Sequence, residues 1–402
     1  MKTKLTLHVK LVHPTFEVEA GTLCYHLSYR RQQRCIESHL HLQTKEWLAS
    51  EQRVVDGDAV HLRAVRACIQ SDTAQLHRLA TELIVAGATV NLLEDVVQRF
   101  IASLPFTRLL AYAQREVIQL EQMHRYGTAR NYRRLISSFT GFLGGDDLPL
   151  QALTDRIIDD YNGYLLRRGV VRNTISYYMR TLRALYNKAV RQRLIVQDNP
   201  FRWVYTGVDT TCKRAVDTET ITALYKLSLP EHSPLALARD LFIFSFCARG
   251  MSFVDMAYLQ KSDIRDGVIS YTRHKTHRRL YIRLEHTLKH LLDKYATCSP
   301  IYLFPLLQSN DPAMSYHEYQ LSLNRYNHAL KRLSALLHTE RKLSSYTARH
   351  SWATAARNHN IPLSIISAGM GHNSERTTQI YLDGLENSVV DSANKALLAD
   401  IL

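Results

Sequence analysis

Cysteine is scarce and scattered in this sequence. Six cysteines stand among 402 residues, at positions 24, 35, 68, 212, 247 and 298, and no two form a Cys-x-x-Cys pair. This spacing argues against a zinc site and against a disulfide framework, and it fits a reducing compartment such as the cytoplasm. Long apolar runs are missing too. None approaches the roughly 20 residues that a membrane-spanning helix needs, so no membrane partner is expected. The opening Met1-Lys2-Thr3-Lys4 leads into alternating apolar and polar residues and lacks the apolar block of a signal peptide. There is no internal repeat and no low-complexity tract.

Acidic residues are outnumbered. The chain carries 51 Lys and Arg against 37 Asp and Glu, a formal net charge of +14. Residues 1–105 hold 12 basic against 11 acidic side chains, residues 106–210 hold 16 against 9, and residues 211–402 hold 23 against 17. The basic excess therefore lies in the middle and the C-terminal half, the footprint expected of a protein that neutralises phosphates.

The period of the apolar residues divides the chain in three, as its length suggests. In residues 1–105, Leu5, Leu7, Val9 and Leu11 alternate with polar residues, as do Leu23, Tyr25, Leu27 and Tyr29. Such alternation predicts half-buried strands. A further strand over Ile36 to Leu42 follows the basic turn Arg30 to Arg34. From about Asp72 the spacing of Leu76, Leu79, Leu83 and Ile84 becomes helical. Gly87 ends that helix, and Asn91 with Glu94 predicts a capping box for the next. Residues 106–205 are helical throughout. One helix runs from Thr107 toward Arg125 and breaks at Gly127, and Thr128 caps its successor. Others follow near 155–168 and 174–194, stopped by Asn199-Pro200. Arg172, Arg180, Arg183 and Lys188, interleaved with Tyr177, Tyr178 and Tyr186, offer a DNA-facing surface. An ordinary solvated helix face is the alternative. After a linker over 202–216, residues 206–402 form a third domain. It is mostly helical and opens on a helix capped by Asp217. It carries one hairpin, Val268 to Arg273 and Leu280 to Leu284, with Lys275 in its turn.

The third domain holds a spaced set of chemically capable groups. Arg249 stands at the end of an apolar helix in Cys247-Ala248-Arg249-Gly250-Met251-Ser252-Phe253-Val254-Asp255. Lys275 follows in the hairpin turn, then Tyr346-Thr347-Ala348-Arg349-His350-Ser351-Trp352, then Gly371-His372, and nine residues on Tyr381. Metal-free cleavage of a phosphodiester needs a nucleophile, cations for the non-bridging oxygens and a proton donor for the leaving oxygen. Arginine suits the second task because its planar fork binds two phosphate oxygens and keeps its charge. Each group alone has a bland explanation. Their order within one basic domain is much harder to obtain by chance.

In these blocks the chain resembles the tyrosine recombinase, or phage integrase, family, and within it the integrases of Bacteroides-type mobile elements. The resemblance implies a multidomain, mainly α fold. Its parts are a small N-terminal α/β domain like an arm-site binding domain, an all-α (SAM-like) core-site binding domain, and a mostly helical catalytic domain with a small β-sheet. It implies that Arg249 and Arg349 clamp the scissile phosphate. Lys275 acts as general acid toward the 5′-oxygen, His372 hydrogen-bonds the phosphate or assists proton transfer, and Tyr381 forms a 3′-phosphotyrosyl bond. Tyr346 stands where most of the family has histidine. A phenol can donate a hydrogen bond to phosphate but cannot shuttle protons near neutral pH. His350 and Trp352 are assigned to packing around Arg349.

The implied activity is site-specific recombination of double-stranded DNA, by integration, excision or inversion, with no metal or other cofactor. The implied assembly is a homotetramer on DNA, associated with the nucleoid while bound. Leu385, Val389, Ala393, Leu397 and Ile401 form a helical apolar stripe that docks either on its own domain or on a neighbouring protomer. Two other functions share these residues: a type IB topoisomerase, and a DNA-binding regulator with a silent site.

Overall fold

The computed structural model describes residues 5–13, 20–88, 90–209, 215–382 and Leu398. The chain forms two compact units, Met1–Asp209 and Thr210–Leu402. Among the described residues, no helix is long and apolar enough to cross a membrane.

The first unit opens with an antiparallel sheet in the order β1 (Thr6–Val12), β2 (Ala20–Tyr29), β3 (Gln32–Gln43). The alternation places Leu23, Tyr25 and Leu27 of β2 on one buried face. β2 and β3 join through Arg30 and Arg31 alone, at φ +48° and +70°. Two left-handed residues give a tight hairpin the twist its strands need. The expected basic turn is thus shorter, because Gln32, Gln33 and Arg34 already pair in β3 with Tyr29, Ser28 and Leu27.

A two-residue ladder, β4 (Trp47–Leu48) with β5 (Arg53–Val54), leads into α1 (Val60–Val85). This helix begins at Val60 rather than near Asp72. Asp72 is mid-helix and buried, where its carboxylate accepts the Tyr25 hydroxyl at 2.6 Å and the Arg108 guanidinium. Those partners outweigh its preference for a cap. α2 (Leu92–Thr107) starts after Asn91, but the predicted capping box does not form. The Glu94 carboxylate instead accepts from Gln98 at 3.1 Å and Arg34 at 3.5 Å. The sheet, α1 and α2 enclose one core.

A second core is built by α3 (Leu109–Gln122), α4 (Tyr126–Leu143), α5 (Asp155–Arg167) and α6 (Arg172–Arg191). Phe139, Phe142 and Tyr161 meet edge-on or tilted at its centre, with ring centroids 4.8–5.2 Å apart. Gly127 and Thr128 lie inside the first turn of α4, so neither breaks nor caps it. The break is at His124, which turns left-handed at φ +55° and lets the Arg125 N–H close back on Leu120 O at 2.8 Å. α6 ends in the same way at Arg193 (φ +59°), well before Asn199-Pro200. The two cores meet at Arg108 and at α1, whose Ala64 belongs to the second. Arg108 is only 5% exposed and stitches them by pairing with Asp72.

In the second unit, Asp217 caps α7 (Thr218–Lys226) as predicted, accepting the Thr220 N–H at 2.7 Å. α8 (Pro234–Cys247) is capped by Ser233 and started by Pro234. Leu241, Phe242, Ile243 and Phe244 are all buried, as a central helix apolar on every side requires. Around it lie α9 (Phe253–Ala257), a three-stranded sheet of β6 (Ile264–Arg265), β7 (Val268–Thr272) and β8 (Arg279–Arg283), α10 (His286–Tyr295) and α11 (Pro312–Leu336). α12 (Thr347–Asn358), α13 (Leu363–Met370) and α14 (Glu375–Leu382) complete the described part, and α12 packs on α8. The predicted hairpin is present. The tail stripe Leu385, Val389, Ala393, Leu397 and Ile401 lies outside the described residues.

Candidate active site

Arg349 organises the site. It lies in the first turn of α12 and is 3% exposed. Its guanidinium donates to Gly250 O at 2.6 Å, to Met370 O at 2.7 Å and to Nε2 of His372 at 2.9 Å. A buried cation is tolerable only when its N–H groups are met in this way. The Met370 carbonyl ends α13, where the helix dipole is negative and favours the charge.

Two glycines allow this convergence. Gly250 has φ +71°, and a Cβ there would stand 2.9 Å from Arg349 Cα. Gly371, at φ +65°, would carry a Cβ 2.8 Å from Leu280 Cδ1 and 3.3 Å from Arg273 Cδ. Gly250 needs glycine for space and for backbone conformation, whereas Gly371 needs it for its left-handed backbone, since the facing Leu280 methyl can shift.

The protonation state of His372 follows from its neighbours. Arginine can only donate, so Nε2 is the acceptor and the proton sits on Nδ1, which donates to Thr378 Oγ1 at 2.7 Å. Burial, then the charges of Arg349, Arg273 and Lys275, push the imidazole pKa down to about 3. His372 is therefore neutral, and both ring nitrogens already have partners. Thr378 is fully buried in α14, one turn before Tyr381.

The hairpin is tied to the same turn. Arg273 Nη1 donates to Gly371 O at 2.8 Å, Thr276 Oγ1 to the same oxygen at 3.2 Å, and Arg278 Nη1 to His372 O at 3.0 Å. From the other side, buried Asp255 accepts the His274 N–H at 2.9 Å and the Ser252 hydroxyl at 2.6 Å. Burial raises the Asp255 pKa, but the hydrogen bonds from His274 and Ser252 outweigh it and hold the carboxyl below its usual range.

The structure thus gathers Arg349, His372 and the hairpin of Lys275 around one turn. Lys275 itself is exposed at the hairpin tip. Arg249 is exposed just beyond α8, at φ +58°, and makes no hydrogen bond or ion pair with another described residue. Its Cδ lies 3.7 Å from where a Cβ on Gly369 would stand, beside Trp352. Tyr346 precedes α12 with its side chain half exposed. Tyr381 falls in the last turn of α14, and its side chain lies outside the described part of the structure. Sequence reasoning missed Asp255, Arg273, Thr276, Arg278 and Thr378. The two arginines flank Lys275, and that spacing was the available signal.

In the first unit, Arg172, Arg180, Arg183 and Lys188 of α6 differ in their duties. Arg172 is largely exposed, stacks over the Tyr205 ring at 3.9 Å and lies 3.6 Å from Asp209. Arg183 donates to Thr206 at 3.2 Å, while Arg180 is exposed and donates to Ser176 O of its own helix at 3.4 Å. Lys188 pairs with fully buried Glu116. A cavity of 390 Å³ beside α6 is lined by Arg134, Arg168 and Tyr178 among others, a basic recess the sequence reading did not name.

Residues 108–206 match the phage integrase SAM-like domain, and residues 215–387 match the phage integrase family. Tyrosine recombinase XerD of Pseudomonas aeruginosa is 24% identical over 270 residues, covering 66% of this chain and 89% of the relative. Tyrosine recombinase XerC of Halalkalibacterium halodurans is 23% identical over 273 residues, with the same coverage. The fold is similar to the Tn1549 transposon integrase in complex with circular intermediate DNA, with TM-score 0.52, 14% identity and coverage of 72% of this chain and 99% of that one. It is also similar to a lambda integrase dimer bound to a COC' core site, with TM-score 0.50, 14% identity and 94% coverage of both chains. The chain belongs to the phage integrase family of tyrosine recombinases, enzymes that break and rejoin DNA in site-specific recombination.

Proposed function

We propose that this enzyme cleaves each DNA strand at its recombination site through Tyr381. The observation that supports this is the convergence of Arg349, His372 and the Lys275 hairpin on the Gly371–His372 turn. The scissile phosphate binds between Arg249 and Arg349, which neutralise its non-bridging oxygens. The Tyr381 oxygen attacks phosphorus and its proton passes to water. The bond to the 5′-oxygen breaks, and that oxygen takes a proton from the Lys275 ammonium. The phosphotyrosyl ester conserves the bond energy, so rejoining needs no external fuel. His372, neutral and filled at both nitrogens, serves to orient Arg349. That role differs from direct proton transfer.

The proposed assembly is a homotetramer on two duplexes, with the tail stripe of residues 385–401 docking on a neighbouring protomer. The helical spacing of its apolar residues supports this. The N-terminal sheet domain, residues 1–105, serves as a second DNA-binding module, with residues 106–205 at the core site and 206–402 as the catalytic domain. Arg172, Arg180 and Arg183, with the recess of Arg134 and Arg168, supply contacts to the DNA backbone.

The test is a nicked duplex carrying the target site, mapped by crosslinking on DNA flanking the gene itself. Wild-type protein forms a covalent adduct, and Tyr381→Phe binds without forming one. Binding with no adduct in the wild type overturns the enzyme reading. Relaxation of any supercoiled plasmid by a monomer, without site dependence, replaces recombination with a topoisomerase activity.

A further inference from the structure

We infer that Arg273 is a positioning residue that latches the Lys275 hairpin to the Gly371–His372 turn and so sets the reach of the proton donor. The inference rests on the general-acid role proposed above for Lys275.

Arg273 is 5% exposed, directly after β7 and two residues before Lys275. An arginine hidden to this degree is costly to desolvate, and an apolar side chain would fill the same space more cheaply. What an apolar residue could not do is join three segments. The Arg273 guanidinium donates to Gly371 O at 2.8 Å and lies 3.9 Å from the Asp255 carboxylate beside α9. Its backbone N–H donates to Arg278 O at 2.9 Å, closing the base of the turn that presents Lys275. Thr276 and Arg278 repeat the attachment on the far side of the lysine. The turn they grip also provides His372, which accepts from Arg349. Proton donor and phosphate clamp are thereby both tied to residues 370–372, the hairpin through the Gly371 and His372 carbonyls and Arg349 through the Met370 carbonyl and the His372 ring. A displacement of about 1 Å at such a site can cost about 100-fold in rate.

The step concerned is the departure of the 5′-oxygen. The P–O5′ bond breaks, its electron pair stays on oxygen, and the Lys275 ammonium supplies the proton that makes the 5′-hydroxyl. Lysine then regains a proton from water. If sulfur replaces that bridging oxygen, the leaving thiolate needs no proton, since thiols ionise at a pKa of about 8.5. The sulfur substrate therefore separates a fault in proton delivery from any other fault.

The experiment uses the full chain on nicked duplexes with oxygen or sulfur at the 5′-bridging position, alongside DNA binding. Arg273→Met is expected to bind normally and to lose about 100-fold in adduct formation on the oxygen duplex. It should recover to within a few-fold of wild type on the sulfur duplex, as Lys275→Ala does. Arg278→Gln should show a smaller loss with the same recovery. Equal losses on both duplexes, or no loss, overturn the latch. Should Arg273→Met fail to bind DNA, Arg278→Gln decides: a loss that sulfur restores supports the latch, and an unrestored loss or none overturns it. If Lys275→Ala is not restored by sulfur, the general-acid reading falls and the latch falls with it.

Discussion

Arg349 donates to Nε2 of His372 at 2.9 Å, which fixes the tautomer of an imidazole that burial, with the neighbouring cations, keeps uncharged. The same histidine pins buried Thr378 through Nδ1. Arg349, the proposed phosphate clamp, and the helix that bears Tyr381 are thus held by opposite sides of one neutral ring.

Stability should fall in acid because of this ring. The pKa of His372 is lowered from 6.5 to about 3 in the folded state. The unfolded chain therefore binds a proton first as pH falls, so the stabilising contribution is complete above about 6.5 and is lost toward about 3. The slope approaches about 1.4 kcal/mol per pH unit in that window. Thermal melts of wild type and His372→Gln between pH 7 and pH 4.5 should converge as pH falls. Parallel curves would contradict a buried neutral histidine.

Gly250→Ala should be severe. The added Cβ meets backbone, Arg349 Cα at 2.9 Å, in a residue already at φ +71°. A left-handed alanine costs about 1 kcal/mol or more before the clash is counted. The expected outcome is a lower melting temperature with adduct formation reduced at least about tenfold, because the Gly250 carbonyl that holds Arg349 must move.

Lys188 and Arg172 should separate stability from DNA affinity. Lys188→Met removes one cation from fully buried Glu116, which keeps Arg115 at 2.9 Å. A loss of about 1–3 kcal/mol in denaturant melts is expected. Arg172→Ala removes a largely exposed side chain and should change stability by less than about 1 kcal/mol. It should weaken binding and reduce the salt slope of log K by about 1. The reverse pattern would reassign both residues.

Tyr346→Phe should leave stability within about 0.5 kcal/mol, since the side chain is half exposed. If the hydroxyl contacts the phosphate, cleavage falls about tenfold or more and Tyr346→His restores part of it, whereas equal rates for all three would make it a bystander. Single-turnover adduct formation is the measurement.

Much of the proposed site could be read without coordinates, because the chemistry proposed for it demands residue types at fixed places. Arg249, Lys275, Arg349 and His372 stand out by type and order, and Arg249 and His372 also by a neighbouring glycine. The strands of the N-terminal sheet declared themselves by period, and Asp217 by capping. Helix ends were less legible. Asp72, Asn91 and Gly127 carry the local signals of a start, cap or break. Asp72 was taken instead by Tyr25 and Arg108, and Glu94 by Gln98 and Arg34, partners remote in sequence or on the same helix face.

The sequence by itself determined the family, the order of the chemical groups and the mainly helical fold, since these follow from residue type and short-range spacing. Only the tertiary structure decided the charge and tautomer of His372, the structural duty of Lys188 and the grip of Arg273 on Gly371. Each depends on which distant group lies within about 3 Å of a nitrogen, and on how far burial has removed that pair from water.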